Sequence, residues 1–206
     1  MTAIYAFVAQ LAHYIIIALA RVHPKWRLFV QGHRQSWRLL QSLDPEGRPV
    51  VWVHVASLGE YQQAVPVLKG LRALQSRPFV LVTFFSPSGF EVVKDKVEAD
   101  ATCYLPLDTV AHARRFVHLL RPTIALFVKY ELWPNYLRAL SDQGVKHFLI
   151  AARFYPKQRL FQFAFGRKLL DSFEAILCQD RQSLQLAEQL LSSPTAMLSG
   201  DTRFDQ

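Results

Sequence analysis

Short apolar runs alternate with longer amphipathic segments along most of this chain. We interpret the runs as β-strands, at Val50–Val55, Phe79–Phe84, Ala101–Leu105, Thr123–Val128, Lys146–Ala151, Ala175–Cys178 and Thr195–Leu198. The segments between them predict helices at about 61–75, 88–97, 109–120, 133–143, 157–172 and 180–192. Such alternation predicts an α/β fold, in which a Rossmann-like parallel sheet carries helices on both faces.

The N-terminal segment, residues 1–22, has a different pattern, because no charged residue occurs between Thr2 and Ala20. A basic stretch follows the apolar run instead of preceding it, which is the reverse of a secretory signal. The run of roughly 18 to 19 residues is at the lower limit for spanning a bilayer. Three interpretations stay open: a short membrane anchor, a helix lying in the membrane interface, and an amphipathic core helix. Gln10 and His13 are three positions apart and share a helix face, which favours the interfacial helix.

The chain is strongly basic, with a formal net charge of +8 and a pI near 9.7. Such a charge predicts an anionic partner: nucleic acid, a membrane surface or a phosphorylated substrate. Half of the excess lies in the first 50 residues, where we predict a basic linker at 23–49 between the apolar segment and an α/β domain at 50–206. Near anionic lipid headgroups each basic side chain contributes about 1 kcal/mol of binding. We therefore predict attachment to the cytoplasmic side of a membrane.

Several common catalytic motifs are absent from the sequence. It has neither a Walker P-loop nor a Gly-x-Gly-x-x-Gly turn, and its seven histidines lack metal-ligand spacing. The turn at Ser57 and Gly59 lacks the leading glycine of a serine-hydrolase elbow. What remains is a set of loops at the C-terminal ends of predicted strands, where open α/β sheets bind ligands. These loops are 57–60, 85–89, 129–135, 151–153 and 199–205.

Glu60 follows the first predicted strand and is the first candidate for chemistry. A carboxylate at that place can accept a proton from a reacting group. A glutamate in the first turn of a helix is also stabilised by the helix dipole, and the residues alone favour neither interpretation. Ser57 and Gly59 shape the turn, and Gly59 can supply a positive φ.

Five segments of the chain together resemble one known family. They are Ser57-Leu58-Gly59-Glu60, Ser86-Pro87-Ser88-Gly89, Tyr130-Glu131-Leu132-Trp133-Pro134-Asn135, Ala152-Arg153 and Gly200-Asp201-Thr202-Arg203-Phe204-Asp205. Their order and spacing resemble the 3-deoxy-D-manno-octulosonic acid (Kdo) transferases, and the resemblance covers essentially the whole chain. The string Glu-Leu-Trp-Pro-Asn combined with Ser-x-Gly-Glu is its most specific part.

The resemblance implies a membrane-associated glycosyltransferase of the GT-B type, with two Rossmann-like domains facing each other across a cleft. Such enzymes transfer Kdo from CMP-Kdo to a lipid A precursor of lipopolysaccharide, at the cytoplasmic face of the inner (plasma) membrane, without a cofactor or metal. The N-terminal domain carries the acceptor side and the base, and the C-terminal domain binds most of the nucleotide. The resemblance ends at Asp205, where the family's linker into the nucleotide-binding domain begins. We therefore expect this chain to hold the acceptor-side half, with most of the CMP-Kdo site outside its 206 residues.

The resemblance also implies roles for single residues. Glu60 aligns with the family's proton acceptor, and Lys129 and Arg203 align with two positions that stabilise the transition state. The family usually has an acidic residue at the first of these and a lysine at the second, so Lys129 inverts a charge and Arg203 keeps one. Lys129 either pairs with Glu131 or attracts a phosphate. The implied substrate-binding positions are Ser57, Gly59, Ser86, Ser88, Gly89, Glu131, Trp133 and Arg153. Parallel topology predicts one shared cleft for Glu60, Ser88, Glu131 and Arg203.

A second interpretation is a non-catalytic membrane-surface module that binds a lipid A precursor or anionic lipid. It depends on the stretch 156–168, which mixes three phenylalanines with four basic residues. The same stretch is slightly more typical of a helix whose Leu/Phe face enters the core while its charges face water. A nucleic-acid binder is the weakest interpretation, because the basic residues are diffuse and no DNA- or RNA-binding motif occurs.

Overall fold

The computed structural model describes residues 2–94, 97–156, 158, 163–192 and 195–205. Within these ranges the chain forms a seven-stranded parallel sheet. The strands are β1 (Val50–Val55), β2 (Phe79–Phe84), β3 (Ala101–Tyr104), β4 (Ile124–Val128), β5 (Lys146–Ala152), β6 (Ala175–Cys178) and β7 (Thr195–Leu198). The described helices are α1 (Thr2–Val22), α2 (Pro24–Ser42), α3 (Leu58–Ala73), α4 (Pro87–Val93), α5 (Val110–Leu120), α6 (Pro134–Asp142), α7 (Ala164–Leu170) and α8 (Arg181–Leu190). A short 3₁₀ helix, Thr202–Asp205, follows β7.

The strand order is β3-β2-β1-β4-β5-β6-β7, which is the order of a Rossmann-like sheet with one further strand at its edge. The predicted fold class is confirmed, and each predicted strand is present, with one end shifted by one residue in β3, β4 and β5. Of the helix predicted at 157–172, the described part of the chain contains α7 at Ala164–Leu170. Residues 157 and 159–162, which carry much of the basic and aromatic stretch, lie outside the described residues.

The core lies on both faces of the sheet, because successive strand residues point to opposite faces. On one face Trp52 is fully buried, with its ring centroid 4.7 Å from that of Phe116, 5.1 Å from Phe127 and 5.6 Å from Tyr136. Side chains of α2, α5 and α6 cover this face. On the other face Val53 packs among side chains of α3 and α4. Strand β1 is thus at the centre of the sheet and buried on both sides.

The segment predicted as a basic linker contains a helix instead, since Pro24–Ser42 forms α2. This helix packs on β3 and α5, and its residues Leu40 and Ser36 are buried. The Ser36 hydroxyl donates to the carbonyl of Gly32 and accepts a hydrogen bond from the backbone N–H of Tyr104 at 3.0 Å. Strand β3 is at the edge of the sheet, so α2 supplies a partner that the edge would otherwise lack. The arginines of α2 face solvent. Because they dominate the composition of this segment, the sequence predicted a basic linker and not a helix with a buried face.

Helix α1 is long and apolar enough to cross a membrane over Ala3–Val22, where the mean hydropathy is 1.9 and no residue is buried. Core helices of soluble proteins and signal sequences can have the same length and composition. The contacts of α1 therefore say more about its place in the structure. The helix packs along α2. The Tyr5 hydroxyl donates to the Asp108 carboxylate at 2.8 Å, and the His13 ring lies 4.8 Å from that of His112. Helix α1 therefore lies along the domain.

The two faces of α1 differ in exposure and in chemistry. The face toward the domain is half-buried and includes Gln10 and His13, which share a face as predicted. The opposite face is exposed and apolar, and the exposed fractions of Phe7, Leu11 and Ile15 are 69%, 48% and 49%. Residues of this band recur at spacings of three and four, as in a helix that lies on an apolar surface. We call the band Ile4, Phe7, Val8, Leu11, Tyr14, Ile15, Ala18 and Val22 the outer face of α1.

Candidate functional site

The strand order reverses between β1 and β4, because the chain first builds outward from β1 to β3 and then returns to β4. At such a switch point the loops after the two central strands diverge and leave a crevice, where open α/β sheets bind ligands. The loop after β1 carries Ser57 and Glu60, and the loop after β4 carries Lys129, Glu131 and Trp133. We call these five residues the switch-point site.

Glu60 is held at the start of α3 by backbone hydrogen bonds. It is 4% exposed, and its Oε2 accepts from the N–H groups of Ala56 at 2.5 Å and Ser57 at 3.1 Å. This is the arrangement of a serine N-cap followed by a glutamate in the third helical position, and it starts α3 at Leu58, earlier than the predicted residue 61. Oε1 of Glu60 has no hydrogen-bond partner among the described residues, so it is the oxygen that remains for a ligand.

The charge state of Glu60 follows from its burial. Desolvation raises the pKa of this carboxyl from 4.5 to about 7, and the negative charge of Glu131 acts in the same direction. The N–H donors of Ala56 and Ser57 and the positive charge of Lys129 lower the pKa, but they do not outweigh the lost hydration. A carboxylate that takes up and releases a proton near neutral pH is suited to general-base catalysis.

Glu131 and Trp133 form the opposite side of the site. Glu131 Oε2 accepts a hydrogen bond from Trp133 Nε1 at 3.0 Å and lies 3.8 Å from Nε2 of His54. The Trp133 ring packs against Phe85, with centroids 4.8 Å apart, and against the His54 ring at 5.4 Å. Trp133 therefore orients one carboxylate and presents an aromatic surface beside it.

Lys129 has a left-handed backbone conformation at the end of β4, with φ of 64°. Its N–H still donates to the carbonyl of Ile150 at 2.9 Å, so sheet pairing continues up to the residue at which the chain turns. A non-glycine residue in this region costs on the order of 1 to 3 kcal/mol, and such strain is concentrated at functional sites. The Lys129 ammonium forms no ion pair with a described carboxylate, so the pairing with Glu131 considered above is not formed in the described part of the chain.

Gly59 does not have the positive φ that the sequence suggested, and that prediction is wrong. It lies in the first turn of α3, and the described glycines with positive φ are Gly47, Gly144 and Gly200. A Cβ at Gly59 would meet nothing within 4 Å. The missing side chain therefore leaves the backbone next to Glu60 open to an approaching ligand.

Gly89 has a structural role that its spacing did not reveal. A Cβ on Gly89 would lie 2.8 Å from the backbone N of Leu58 and 3.1 Å from the carbonyl carbon of Ser57. The N–H of Ser86, the N-cap of α4, donates to the carbonyl of Ala56 at 2.8 Å. The start of α4 is thus packed directly against the loop that holds Glu60. Of Ser88, also predicted to bind substrate, the side chain lies outside the described part of the structure.

We predict that Gly89→Ala displaces this loop and lowers the free energy of unfolding by about 1 to 3 kcal/mol, because the added methyl group has no room. The matched control is Gly70→Ala on α3, where a Cβ would meet nothing within 4 Å. That change should be neutral or stabilise the protein by about 0.5 to 1 kcal/mol. Urea denaturation of both variants measures the difference. Equal stabilities would contradict the close contact of α4 with the loop.

Arg203 lies beside α3 but its guanidinium is occupied. It donates to both carboxylate oxygens of Asp201, with Nε 3.0 Å from Oδ1, and this hydrogen bonding lowers the pKa of Asp201 to about 2. The hydroxyl of Thr202 donates to the Gln63 carbonyl at 2.7 Å. The closing segment is therefore docked one turn along α3 from Glu60, with its arginine held by a neighbouring carboxylate.

Arg153 lies farther along the same edge of the sheet, after β5. Its Nε is 3.7 Å from Asp180 Oδ2, and its guanidinium lies 5.3 Å from the centroid of the Tyr155 ring. These contacts orient Arg153 toward the end of β6. Of the predicted site residues, the structure thus brings Ser57, Glu60, Lys129, Glu131 and Trp133 to the switch point, while Arg153 and Arg203 make their described contacts elsewhere on the edge.

Asp108, which the sequence reasoning missed, supports the loop after β4. It is 4% exposed and accepts hydrogen bonds from the N–H groups of Asn135 at 3.2 Å and Tyr136 at 3.1 Å. The Asn135 amide donates back to the Asp108 carbonyl at 2.6 Å. Burial raises the pKa of Asp108 to about 6 in spite of these donors. Part of the Trp-Pro-Asn string is therefore structural: Pro134 opens α6 and Asn135 ties it to the preceding crossover.

His54 was also missed, although the sequence contained a signal for it. It lies in β1, whose six residues are all buried, and a polar side chain in such a strand needs a partner. Its Nδ1 lies 2.9 Å from the Thr83 hydroxyl. No group of three or more potential metal ligands occurs at this site or elsewhere among the described residues.

The chain is similar to known proteins both in sequence and in fold. The family model described as 3-deoxy-D-manno-octulosonic-acid transferase (kdotransferase) matches residues 31–206. A probable mitochondrial 3-deoxy-D-manno-octulosonic acid transferase of Arabidopsis thaliana is 30% identical over 149 residues, which are 70% of this chain and 33% of that protein. The 3-deoxy-D-manno-octulosonic acid transferase of Rickettsia prowazekii is 28% identical over 186 residues, which are 85% of this chain and 39% of that protein. The chain thus spans between 33% and 39% of the length of these two relatives.

Among solved structures, a UDP-GlcNAc 2-epimerase from Neisseria meningitidis superimposes with a TM-score of 0.57 at 14% sequence identity. The match covers 76% of this chain and 48% of the epimerase chain. At that identity the similarity is one of fold, and it agrees with a Rossmann-like half of the GT-B type. The family model, which covers most of the chain, decides the assignment: this chain belongs to the Kdo transferase family.

Proposed function

We propose that this chain is the acceptor-side half of a Kdo transferase, and that the complete protein transfers Kdo from CMP-Kdo to a lipid A precursor. The observation that carries the proposal is Glu60: a buried carboxyl with a pKa of about 7, at the switch point of the sheet, with one oxygen free of described partners. The names of the relatives support the same sugar. The donor site is assigned mostly to a nucleotide-binding half that lies outside this chain.

In this proposal Glu60 is the general base. The acceptor hydroxyl gives its proton to Oε1 of Glu60 while its oxygen forms a bond to the anomeric carbon of Kdo. The bond from that carbon to the phosphate oxygen of CMP breaks, and its electron pair leaves with CMP. Oε2 continues to accept hydrogen bonds from the N–H groups of Ala56 and Ser57, so the base is held in place during proton transfer.

Lys129 is proposed to attract an anionic group of the substrates. Its positive charge is close enough to Glu60 to lower the pKa of that carboxyl, and it has no described ion-pair partner. Both Kdo, which carries a carboxylate, and CMP, which carries a phosphate, are anionic. Arg203 remains a proposed stabiliser of the transition state, and in that role it would have to exchange its bond to Asp201 for one to the substrate.

We further propose that the complete protein acts at the cytoplasmic face of the inner membrane. The outer face of α1 offers a continuous apolar band, and four exposed arginines lie on or next to α1 and α2. These are Arg21, Arg27, Arg34 and Arg38. An apolar band bordered by basic side chains is typical of a helix that lies in the interface of an anionic membrane.

A membrane-surface module without catalysis is the second candidate. One observation favours it: a mostly apolar cavity of about 200 Å³ lies between α1, α2 and the start of α5. Ile16, Phe29 and Trp37 line it, together with histidine rings and Arg34. Such a cavity fits part of an acyl chain. The buried base at the switch point has no role in this second candidate, which is why we favour the transferase.

The test is a transfer assay with the complete protein, CMP-Kdo and a lipid A precursor in detergent, with products identified by mass spectrometry. We expect release of CMP and addition of Kdo to the lipid. CMP-sialic acid, a second CMP-linked keto sugar acid, serves as the control donor and should not react. Binding of the lipid without any transfer would favour the membrane-surface module.

A further inference from the structure

The switch-point site is connected to the sheet through a buried polar chain. His54 and Thr83 are fully buried side chains on neighbouring strands β1 and β2, paired in register. The Thr83 hydroxyl lies 2.9 Å from His54 Nδ1 and accepts a hydrogen bond from Trp52 Nε1 at 2.8 Å. His54 Nε2 has no hydrogen-bond partner among the described residues and lies 3.8 Å from Glu131 Oε2.

The donors in this chain determine where the proton of His54 lies. The Trp52 indole N–H can only donate, so it occupies one acceptor position of the Thr83 hydroxyl. The Thr83 hydroxyl also has a proton to donate, and His54 Nδ1 is the acceptor described within reach of it. When Nδ1 accepts that proton, the ring proton lies on Nε2. The other tautomer would turn an Nε2 lone pair toward the Glu131 carboxylate, and two buried acceptors facing each other are unfavourable.

We propose that His54 is a positioning residue for the transfer reaction, whose Nε2–H holds the Glu131 carboxylate in the site. This inference rests on the proposed function, because it gives Glu131 a role in binding substrate. The distance of 3.8 Å is longer than a hydrogen bond. In the proposed complex with substrate this contact shortens to a hydrogen bond, as catalytic hydrogen bonds commonly do on substrate binding. With Trp133 Nε1 and His54 Nε2 both directed at Oε2 of Glu131, Oε1 of that carboxylate is left for the acceptor or the sugar.

The position of His54 accounts for two features of the loop after β4. Glu131 lies two residues beyond the left-handed turn at Lys129, and its backbone N–H donates to the carbonyl of Val128 at 3.4 Å. The Trp133 ring lies edge-on against the His54 ring, with an interplanar angle of 85°. His54 therefore supports both the carboxylate and the indole that binds it, and it does so from the rigid centre of the sheet.

The first experiment uses this chain by itself and needs no activity. Nitrogen-15 NMR of the chain with labelled histidine reports which ring nitrogen of His54 carries the proton. We expect the proton on Nε2, and we expect Glu131→Gln to shift the Nε2 resonance. The matched control is Glu188→Gln, an exposed glutamate on α8, which should leave that resonance unchanged. A proton on Nδ1, or an Nε2 resonance insensitive to Glu131→Gln, would overturn the proposal.

The second experiment measures kinetics in the complete protein. In His54→Gln the amide nitrogen replaces Nε2 and keeps a donor toward Glu131, whereas in His54→Asn the shorter amide replaces only Nδ1. We expect Asn to lower kcat about 10- to 100-fold with a smaller change in KM, and Gln to keep kcat within about threefold. Equal activities of the two variants would contradict the proposal. If the wild-type protein transfers no Kdo, the proposed function fails, while the NMR result still decides the contact of His54 with Glu131.

Discussion

In the complete transferase, Glu60→Gln is expected to lower the rate of Kdo transfer by about 10² to 10⁴. Glutamine keeps the volume of the side chain and an oxygen that can accept from Ala56 and Ser57, but it cannot take a proton. The loss should therefore fall on kcat and leave acceptor binding nearly unchanged. Glu188→Gln, which removes an exposed carboxylate on α8, is the matched control and should have wild-type activity. Near-normal turnover of Glu60→Gln would contradict the assignment of Glu60 as the general base.

The pH dependence of the wild-type reaction gives an independent view of the same residue. In the proposed mechanism the base acts in its ionised form, and the pKa of Glu60 is raised to about 7. The rate should therefore rise as the pH increases through about 7 and level off above it. A residual rate in Glu60→Gln should lack this rise.

The stability of the same variant serves as the folding control, and it can be measured on this chain alone. The pKa of Glu60 is about 7 in the folded state, whereas its ordinary value is 4.5. Between pH 4.5 and pH 7 the folded chain therefore holds a proton on Glu60 that the unfolded chain has released. Stability from this group therefore falls as the pH rises from 4.5 to 7. Glutamine removes that cost. Glu60→Gln should be more stable than wild type at pH 8 by on the order of 1 to 3 kcal/mol, and equally stable near pH 4. A less stable variant at pH 8 would mean that the carboxylate is chiefly a helix cap.

The second large effect concerns the outer face of α1. The triple variant Phe7→Ser, Leu11→Ser, Ile15→Ser should release the chain from vesicles that contain anionic lipid. Each side chain loses about 1 kcal/mol or more of apolar burial, so the sum of about 3 kcal/mol corresponds to a roughly 100-fold weaker partition. The half-buried face, with the bond from Tyr5 to Asp108, is left intact in this variant. Sedimentation with vesicles measures the bound fraction.

Leu74→Ser is the matched control, since Leu74 is an exposed leucine after α3 and 50% accessible. It should bind vesicles like wild type. Deleting residues 1–22 should release a soluble domain. High salt alone should not release the wild-type chain, because salt screens the basic side chains and leaves apolar burial intact. Quantitative release by salt would mean that the chain is held by its basic side chains alone, and it would contradict the role of the apolar outer face.

The candidate site was partly accessible from sequence, and the reason is local. Ser57 and Glu60 follow an apolar run and precede a helix, and an N-cap with a glutamate in the third helical position is a pattern of neighbouring residues. The loop with Glu131 and Trp133 was found by its resemblance to a family. His54 and Asp108 were missed because each depends on partners far along the chain: Thr83 is 29 positions from His54, and Asn135 is 27 from Asp108.

The sequence by itself determined the fold class, because parallel strands buried on both faces require continuous apolar runs, and the runs recur between helices. It also placed Glu60 at a strand end. Tertiary structure alone decided that residues 24–42 form a helix that covers the edge strand β3, since the burial of Ser36 and Leu40 depends on that strand. It decided as well that Gly89 is needed for close packing, whereas Gly59 leaves an open backbone. Tertiary structure also decided the pKa of Glu60. Desolvation by the folded chain and the nearby charge of Glu131, which is distant in sequence, raise that pKa to about 7.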